Sequence, residues 1–254
     1  MHNRVALMIG NDELPWAIAN GLMRRFGPLR AIVEEREPHI EVIRRRIRML
    51  GFAEAMGQVA FALLLKLLSR RAASTRRQLL EEAGLDPRPL TGWPTKLVST
   101  VNGPECRRAL TEAAPDVIVV IGTRLIRWET LECINARFIN YHAGITPNYR
   151  GQNGMYWALA EGDPEHAGVT IHLIDEGVDT GDVLYQAKVR PQPGNNIATY
   201  QYCQARIAVP MLVAAIEDAL AGRLAPRRIQ RTSRQWFHPT IWRYLKTGLS
   251  RGVW

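Results

Sequence analysis

The chain has 254 residues, 46% of them hydrophobic, and a formal net charge of +9. Such a chain can bury a substantial core as one α/β domain with appendages. Its three cysteines, Cys106, Cys133 and Cys203, are widely spaced and odd in number, which argues against a disulfide framework and against a metal site. The first residues lack the apolar region and cleavage site of a secretory signal, so we expect a cytoplasmic protein.

The first third of the chain predicts a strand, a helix and a second strand. Apolar runs at Val5–Ile9 and Leu29–Val33 flank a helical pattern over Leu14–Phe26. The turn after the first strand, Gly10–Pro15, has neither a glycine-rich phosphate loop nor a dinucleotide fingerprint. Asn11 or Asp12 in that turn is expected to cap the helix, and Asn11 is also a candidate substrate contact.

An insertion at about 38–90 separates these strands from the rest. Ile40–Arg71 predicts a helical pair, and residues 40–80 hold nine basic and two acidic residues, which is +7 of the chain's +9. Its longest uninterrupted apolar run, Val59–Leu65, falls short of the roughly 20 residues of a membrane span. Two interpretations stay open: a hairpin packed on the domain or on a homodimer mate, and peripheral contact with the inner membrane surface. Nucleic acid is not favoured, because no aromatic stacking platform accompanies the arginines.

A further strand at Val117–Ile121 follows a helix predicted over 106–114. Fully apolar strands that alternate with helices indicate an α/β fold of Rossmann type, with a mostly parallel sheet and helices on both faces. A ligand is then expected at the carboxyl ends of the strands, where Gly10, Gly122 and His142 fall.

Two motifs carry the chemistry. The segment Phe138–Gly151 begins as a strand with Asn140 and His142 on one face, because strand side chains repeat every two residues. The segment Ile174–Gly181 ends a strand in a glycine-bracketed turn that holds Asp179. An amide donor can stabilise an oxyanion, and a histidine beside a carboxylate can manage a proton, which together suit acyl transfer to an amine. His166 and His172 are assigned structural roles.

These motifs resemble the catalytic core of the 10-formyltetrahydrofolate-dependent formyltransferases. The family includes purine-type glycinamide ribonucleotide transformylases, methionyl-tRNA formyltransferases and sugar-nucleotide N-formyltransferases. The resemblance covers roughly residues 95–190 and implies that Asn140, His142 and Asp179 are catalytic. It also implies that 10-formyltetrahydrofolate is the co-substrate, without a metal, held by two loops whose matching residues are Ile121, Gly122, Thr123, Leu125, Ile174, Asp175, Gly177 and Val178.

The acceptor is expected to be the primary amine of a small anionic molecule. Tyr149 and Arg150 are the candidate contacts, since an arginine fork suits a phosphate. The ending Tyr149–Gly151 resembles that of the sugar-nucleotide and tRNA enzymes, which makes an amino sugar nucleotide the first choice. Where many relatives have Pro-Ser-Leu-Leu-Pro, this chain has Ala143–Pro147. A purine-type transformylase, a formyltetrahydrofolate hydrolase and a non-catalytic membrane-surface module are the alternatives.

The predicted organisation is a catalytic core over 1–190 and a C-terminal part over 191–254, separated by the hinge Pro191–Asn195. A helix predicted over 196–221 stops at Gly222. The tail after it mixes arginines with aromatic residues and has no acidic residue, which favours a tail strapped across the core or a subunit interface over a nucleotide site. It is also shorter than the extra barrel of methionyl-tRNA formyltransferases, so initiator tRNA is not the favoured acceptor.

Overall fold

The computed structural model describes residues 4–89 and 92–254, so the first three residues and the end of the insertion at 90–91 lie outside it. Within those ranges a seven-stranded sheet runs in the order β3-β2-β1-β4-β5-β7-β8. The strands are β1 Val5–Gly10, β2 Arg30–Glu34, β3 Thr95–Val98, β4 Val117–Ile121, β5 Arg137–His142, β6 Arg150–Gly151, β7 Gly168–Leu173, β8 Val183–Lys188 and β9 Gln235–Trp236. The helices are α1 Glu13–Phe26, α2 His39–Leu50, α3 Phe52–Arg71, α4 Ala73–Glu82, α5 Pro104–Ala113, α6 Trp128–Leu131, α7 Gly154–Ala160, α8 Tyr200–Leu220 and α9 Ile241–Arg251.

The predicted fold class is confirmed. Strands β3, β2, β1, β4 and β5 are mutually parallel, and β7 and β8 continue the sheet antiparallel. Alternate residues of the central strands supply two apolar clusters, one beneath α1 and α8 and the other beneath α5. Both faces are therefore covered, which explains why β1 and β4 are apolar at every position.

The insertion forms three helices. The predicted pair over Ile40–Arg71 is confirmed as α2 and α3, and α4 is an additional helix. Gly51 divides α2 from α3 with a φ of 85°, a conformation that glycine adopts without steric cost. Helix α3 packs along α9, and α4 packs on α8. The insertion is therefore joined to the C-terminal part of the chain.

The tail after α8 crosses the core as a strap. It contributes β9, which pairs with β6, the next strand after β5. Trp236 of β9 stacks between Tyr149 and Trp157, with ring centroids 5.8 and 4.7 Å away, and only 5% of Trp236 is exposed. Trp236 is thus buried in packing, as expected for a strapped tail, whereas Trp242 and Trp254 of the same tail are 50% and 39% exposed.

Candidate active site

Asn140 and His142 lie on the same face of β5, as the period of the strand predicts. Asn140 is in register with Val120 of β4, and His142 ends β5 beside the turn at Gly122. His142 is 6% exposed, and its Nε2 lies 2.7 Å from the backbone oxygen of Tyr149. Because a carbonyl only accepts, Nε2 carries a hydrogen and donates it, and Nδ1 faces the carboxylate of Asp179.

Asp179 reaches both of these residues from the loop between β7 and β8. Its Oδ2 lies 3.3 Å from His142 Nδ1 and accepts the Gly151 N–H at 2.8 Å, and its Oδ1 accepts from Asn140 Nδ2 at 3.2 Å. Burial acts to raise the pKa of Asp179, but His142, His172 and the Gly151 amide outweigh it and hold that pKa below its ordinary value. The group is therefore a carboxylate near neutral pH.

His172 belongs to the same cluster, although the sequence pattern assigned it a structural role. Antiparallel pairing of β5 with β7 places it directly opposite Asn140. Its Nδ1 donates to Leu173 O at 2.7 Å, which leaves Nε2 to accept from Asn140 Nδ2 at 3.0 Å. Nε2 is also 3.4 Å from Asp179 Oδ1. The only signal for this position would have been the register of β5 and β7, which no local pattern gives.

Two glycines let the backbone close around the cluster. A Cβ on Gly181 would lie 1.8 Å from Leu173 O, so only glycine lets the loop return against the end of β7. A Cβ on Gly144 would lie 2.6 Å from His142 Nε2. Asp179 itself has a φ of 51°, an uncommon conformation for a residue with a side chain. The loop is thus held in a strained form that presents the carboxylate.

The two loops expected to bind folate lie on either side of β5. The first, after β4, begins with Ile121 and Gly122, and its Thr123 hydroxyl donates to Arg124 O at 3.0 Å, while Leu125 is half exposed. The second is closed by Asp175, which accepts from Gly177 N at 3.1 Å and Thr180 Oγ1 at 2.6 Å.

A cavity of about 380 Å³ lies beside the second loop. Ile174 and Asp175 line it together with Trp128, Leu131, Ala136, Arg137, Phe138, Leu173 and Glu176. Its volume is in the range of small-molecule sites. Of the eight residues expected to bind folate, only Ile174 and Asp175 line it, and the first loop contributes none.

The expected acceptor contacts are partly engaged within the protein. Arg150 donates through Nη1 to Val178 O at 2.6 Å and through Nε to Ser233 Oγ at 2.8 Å, so it joins the loop between β7 and β8 to the tail. The Tyr149 hydroxyl donates to Asp163 at 2.9 Å, and burial followed by that carboxylate raises the pKa of Tyr149. Helix α7 begins at Gly154, three residues after Gly151, because Arg150 and Gly151 are held as a strand by the tail.

The expected helix cap at the first turn was wrong. Asp12 occupies the N-cap position of α1 but makes no side-chain cap bond, because its carboxylate pairs with Arg36. Asn11 accepts a hydrogen bond from Trp16 Nε1 at 3.2 Å. This bond fixes its side chain at the carboxyl end of β1.

The model of the formyl transferase family matches residues 71–216, which is more than half of the chain. The chain therefore belongs to the formyl transferase family. Methionyl-tRNA formyltransferase of Desulfotalea psychrophila is 33% identical over 147 residues, which is 58% of this chain and 43% of that protein. The chain thus spans less than half the length of this relative.

Two solved structures share the fold. A 4-N formyltransferase from Francisella tularensis has a TM-score of 0.58 at 14% identity, over 97% of this chain and 80% of that one. Glycinamide ribonucleotide transformylase 1 from Symbiobacterium toebii has a TM-score of 0.56 at 18% identity, over 89% and 93%. At these identities the likeness shows the architecture alone.

Proposed function

We propose that the protein transfers a formyl group from 10-formyltetrahydrofolate to the primary amine of a small anionic acceptor, with an amino sugar nucleotide as the first candidate. The cluster of Asn140, His142, His172 and Asp179 carries this proposal. It places an amide donor, two imidazoles and a carboxylate within 3.4 Å contacts at the ligand-binding end of the sheet. Membership of the formyl transferase family supports the same reaction.

The proposed reaction is direct attack by the acceptor nitrogen on the formyl carbon. A new C–N bond forms, the bond from that carbon to N10 of the folate breaks, the amine loses a proton and N10 gains one. His142 takes the proton from the amine on Nδ1, the ring nitrogen that carries no hydrogen, and the Asp179 carboxylate beside Nδ1 stabilises the imidazolium that results. The Asn140 amide stabilises the oxyanion of the tetrahedral intermediate.

This role requires an exchange of hydrogen bonds at Asn140. Both amide hydrogens are engaged inside the cluster, one with His172 at 3.0 Å and one with Asp179 at 3.2 Å. One of them must turn to the substrate oxygen as the intermediate forms, and catalytic hydrogen bonds commonly tighten only in the complex. His172 Nε2 can lose the hydrogen bond from Asn140, and the ring remains neutral. Its Nδ1 hydrogen stays bonded to Leu173 O throughout.

Arg150 and the names of the relatives support the acceptor class. Structures named as 4-N formyltransferase and glycinamide ribonucleotide transformylase share the fold, and curated relatives are named methionyl-tRNA formyltransferase. Arg150 has one terminal nitrogen, Nη2, without a hydrogen-bond partner among the residues that the structure describes, so it can still contact an anionic group beside the catalytic loop. One terminal nitrogen can donate to a single anionic group of a small molecule.

The test is an acceptor panel with the purified full chain and 10-formyltetrahydrofolate, in which tetrahydrofolate release is followed. Amino sugar nucleotides, glycinamide ribonucleotide and methionyl-tRNA are the acceptors. Release that depends on an amino sugar nucleotide, together with a formylated product by mass spectrometry, is the expected result. Release with either of the other two would replace the acceptor, and release without any amine would make the protein a hydrolase. No release and no folate binding would overturn the proposal.

A further inference from the structure

Helix α3 exposes an apolar stripe that the core does not use. Phe52, Met56, Leu63 and Leu67 are 69%, 40%, 65% and 55% exposed. At about 100° per residue these four positions fall within an arc of about 60°. They therefore form one continuous face along the 20-residue helix, and exposed apolar surface of this extent marks an interaction site.

The opposite face of α3 is fixed to the protein. Phe61 is fully buried, with its ring centroid 5.2 Å from that of Tyr244 in α9, and Gln58 is 3% exposed. Helix α3 is long and apolar enough to cross a membrane, by length and composition alone. Crossing would strip Phe61 from its partners and bring Gln58 and Lys66 into hydrocarbon. A surface contact needs none of this.

Helix α9 extends the exposed apolar surface. Its Trp242 lies over Gly57 of α3, where an added Cβ would be 2.2 Å from the indole, and half of that tryptophan remains exposed. Leu245 and Leu249, one turn apart on the same helix, are 43% and 82% exposed. Neighbouring α3 and α9 thus both present apolar side chains together with basic ones.

The charges around this surface are mostly positive: α2 and α3 carry seven arginines and lysines and two glutamates, Glu41 and Glu54, and α9 carries no acidic residue. Eight arginines and lysines of α2, α3 and α9 have no ion-pair partner among the described residues: Arg44, Arg46, Arg48, Lys66, Arg70, Arg71, Lys246 and Arg251. Arg70 lies in line with the apolar stripe, about one turn beyond Leu67 and two turns beyond Leu63. A second copy of the same surface would bring like charges together, whereas an anionic surface satisfies both the charges and the apolar stripe.

We propose that α3 and α9 dock the protein on an anionic lipid bilayer, with the apolar stripe entering the interface and the arginines and lysines contacting headgroups. The long side chains of Lys66 and Arg70 can lay their methylenes along the apolar surface and keep the charge at the headgroup level. The docking surface is separate from the catalytic cluster, and it does not depend on the reaction proposed above.

Flotation of the full chain with vesicles tests this. One set is phosphatidylcholine alone and the other contains phosphatidylglycerol as well. Binding to the anionic set at low salt is expected, with at least about tenfold weaker binding to the neutral set and a decline as salt screens the charges. Leu63→Gln with Leu67→Gln, and separately Arg70→Gln with Arg71→Gln, should each weaken binding about tenfold or more.

Matched control variants remove a leucine side chain or two arginine charges from surfaces outside α3 and α9. Leu97→Gln changes a half-exposed leucine on β3, and Arg30→Gln with Arg108→Gln removes two exposed charges on β2 and α5. Both controls should bind as the unaltered chain does. Equal binding to both vesicle types, no binding at low salt, or equal loss in the controls would overturn the proposal. So would a dimer by analytical ultracentrifugation that the Leu63 and Leu67 changes dissociate, since the stripe would then be covered by a second copy.

Discussion

Asn140 and His142 are predicted to carry the chemical step, because the proposed reaction assigns the oxyanion to one and the amine proton to the other. Asn140→Ala and His142→Ala should each lower kcat by at least about a hundredfold while circular dichroism stays unchanged. His39→Ala is the matched control, since this histidine is exposed at the start of α2. Steady-state turnover with the acceptor found in the panel is the measurement. Near-normal turnover in either variant would show that the replaced residue is not catalytic.

Asp179 should link stability to acid pH. Burial opposes ionisation, but His142, His172 and the Gly151 amide depress its pKa in the folded protein below the value of about 3.9 expected in the unfolded chain. The stabilisation is then fully present above about pH 4 and is lost as pH falls through the folded pKa. Asp179→Asn should reduce the free energy of unfolding by about 2 kcal/mol at pH 7 and by less at pH 3. Urea unfolding at both pH values measures this, and an equal effect at the two would contradict the linkage.

The residue-level site was predictable wherever a local pattern fixed it. The period of two in β5 places Asn140 beside His142, and the glycine-bracketed turn presents Asp179 to both. The place of His172 in the cluster was not predicted, because it depends on which strands pair and in which register. Asn11 and Asp12 departed from the expected cap because Trp16 and Arg36 offered tertiary partners that no helix-capping rule contains.

The loop between β7 and β8 depends on one close backbone approach. Gly181→Ala would force a Cβ within 1.8 Å of Leu173 O, so the loop must move and withdraw Asp179 from His142. We expect a loss of about 1–3 kcal/mol in unfolding free energy and a fall in kcat of at least about tenfold. Gly103→Ala is the control, since its nearest neighbour would be 3.2 Å away. Normal turnover with lowered stability would mean that the loop does not position the carboxylate.

The tail strand β9 is predicted to support the site from outside it. Trp236 stacks on Tyr149 and Trp157, and β9 holds Gly151, whose N–H binds Asp179. Trp236→Ala should cost about 3–5 kcal/mol in unfolding free energy, as expected for a buried tryptophan, and should lower kcat as well. Trp128→Ala, at a half-exposed position, should cost far less stability. If Trp236→Ala is stable and has full turnover, the tail strand β9 does not support the site.

At the scale of elements, the sequence predicted the strands of the central sheet better than the pairing of the tail with the core. Apolar runs gave β1, β2 and β4 within two residues, because strands buried on both faces leave an unmistakable composition. The pairing of β6 with β9 was not foreseen, since it joins segments that are about 80 residues apart and only two residues long.

At the scale of the whole molecule, three parts of the chain meet at His238 of the tail: the tail itself, the insertion and the segment before α7. Its Nδ1 lies 2.8 Å from Asn153 Nδ2, just before α7, and its ring centroid lies 6.2 Å from that of Phe61 in α3. Burial, followed by the charge of Arg46 in α2, lowers the pKa of His238 to about 4. The folded protein therefore holds this imidazole neutral at a junction of three parts of the chain.

Protonation of His238 should loosen that junction. Its pKa is about 4 when folded and about 6.5 when unfolded, so the unfolded chain binds more protons between these values. The free energy of unfolding is then highest above pH 6.5 and falls by about 2–3 kcal/mol as pH drops to about 4. His238→Gln keeps a polar group beside Asn153 but cannot titrate, so its unfolding free energy should lack this decline. Urea titrations of both proteins from pH 7 to pH 4 measure the difference, and parallel curves would show that the junction does not respond to His238.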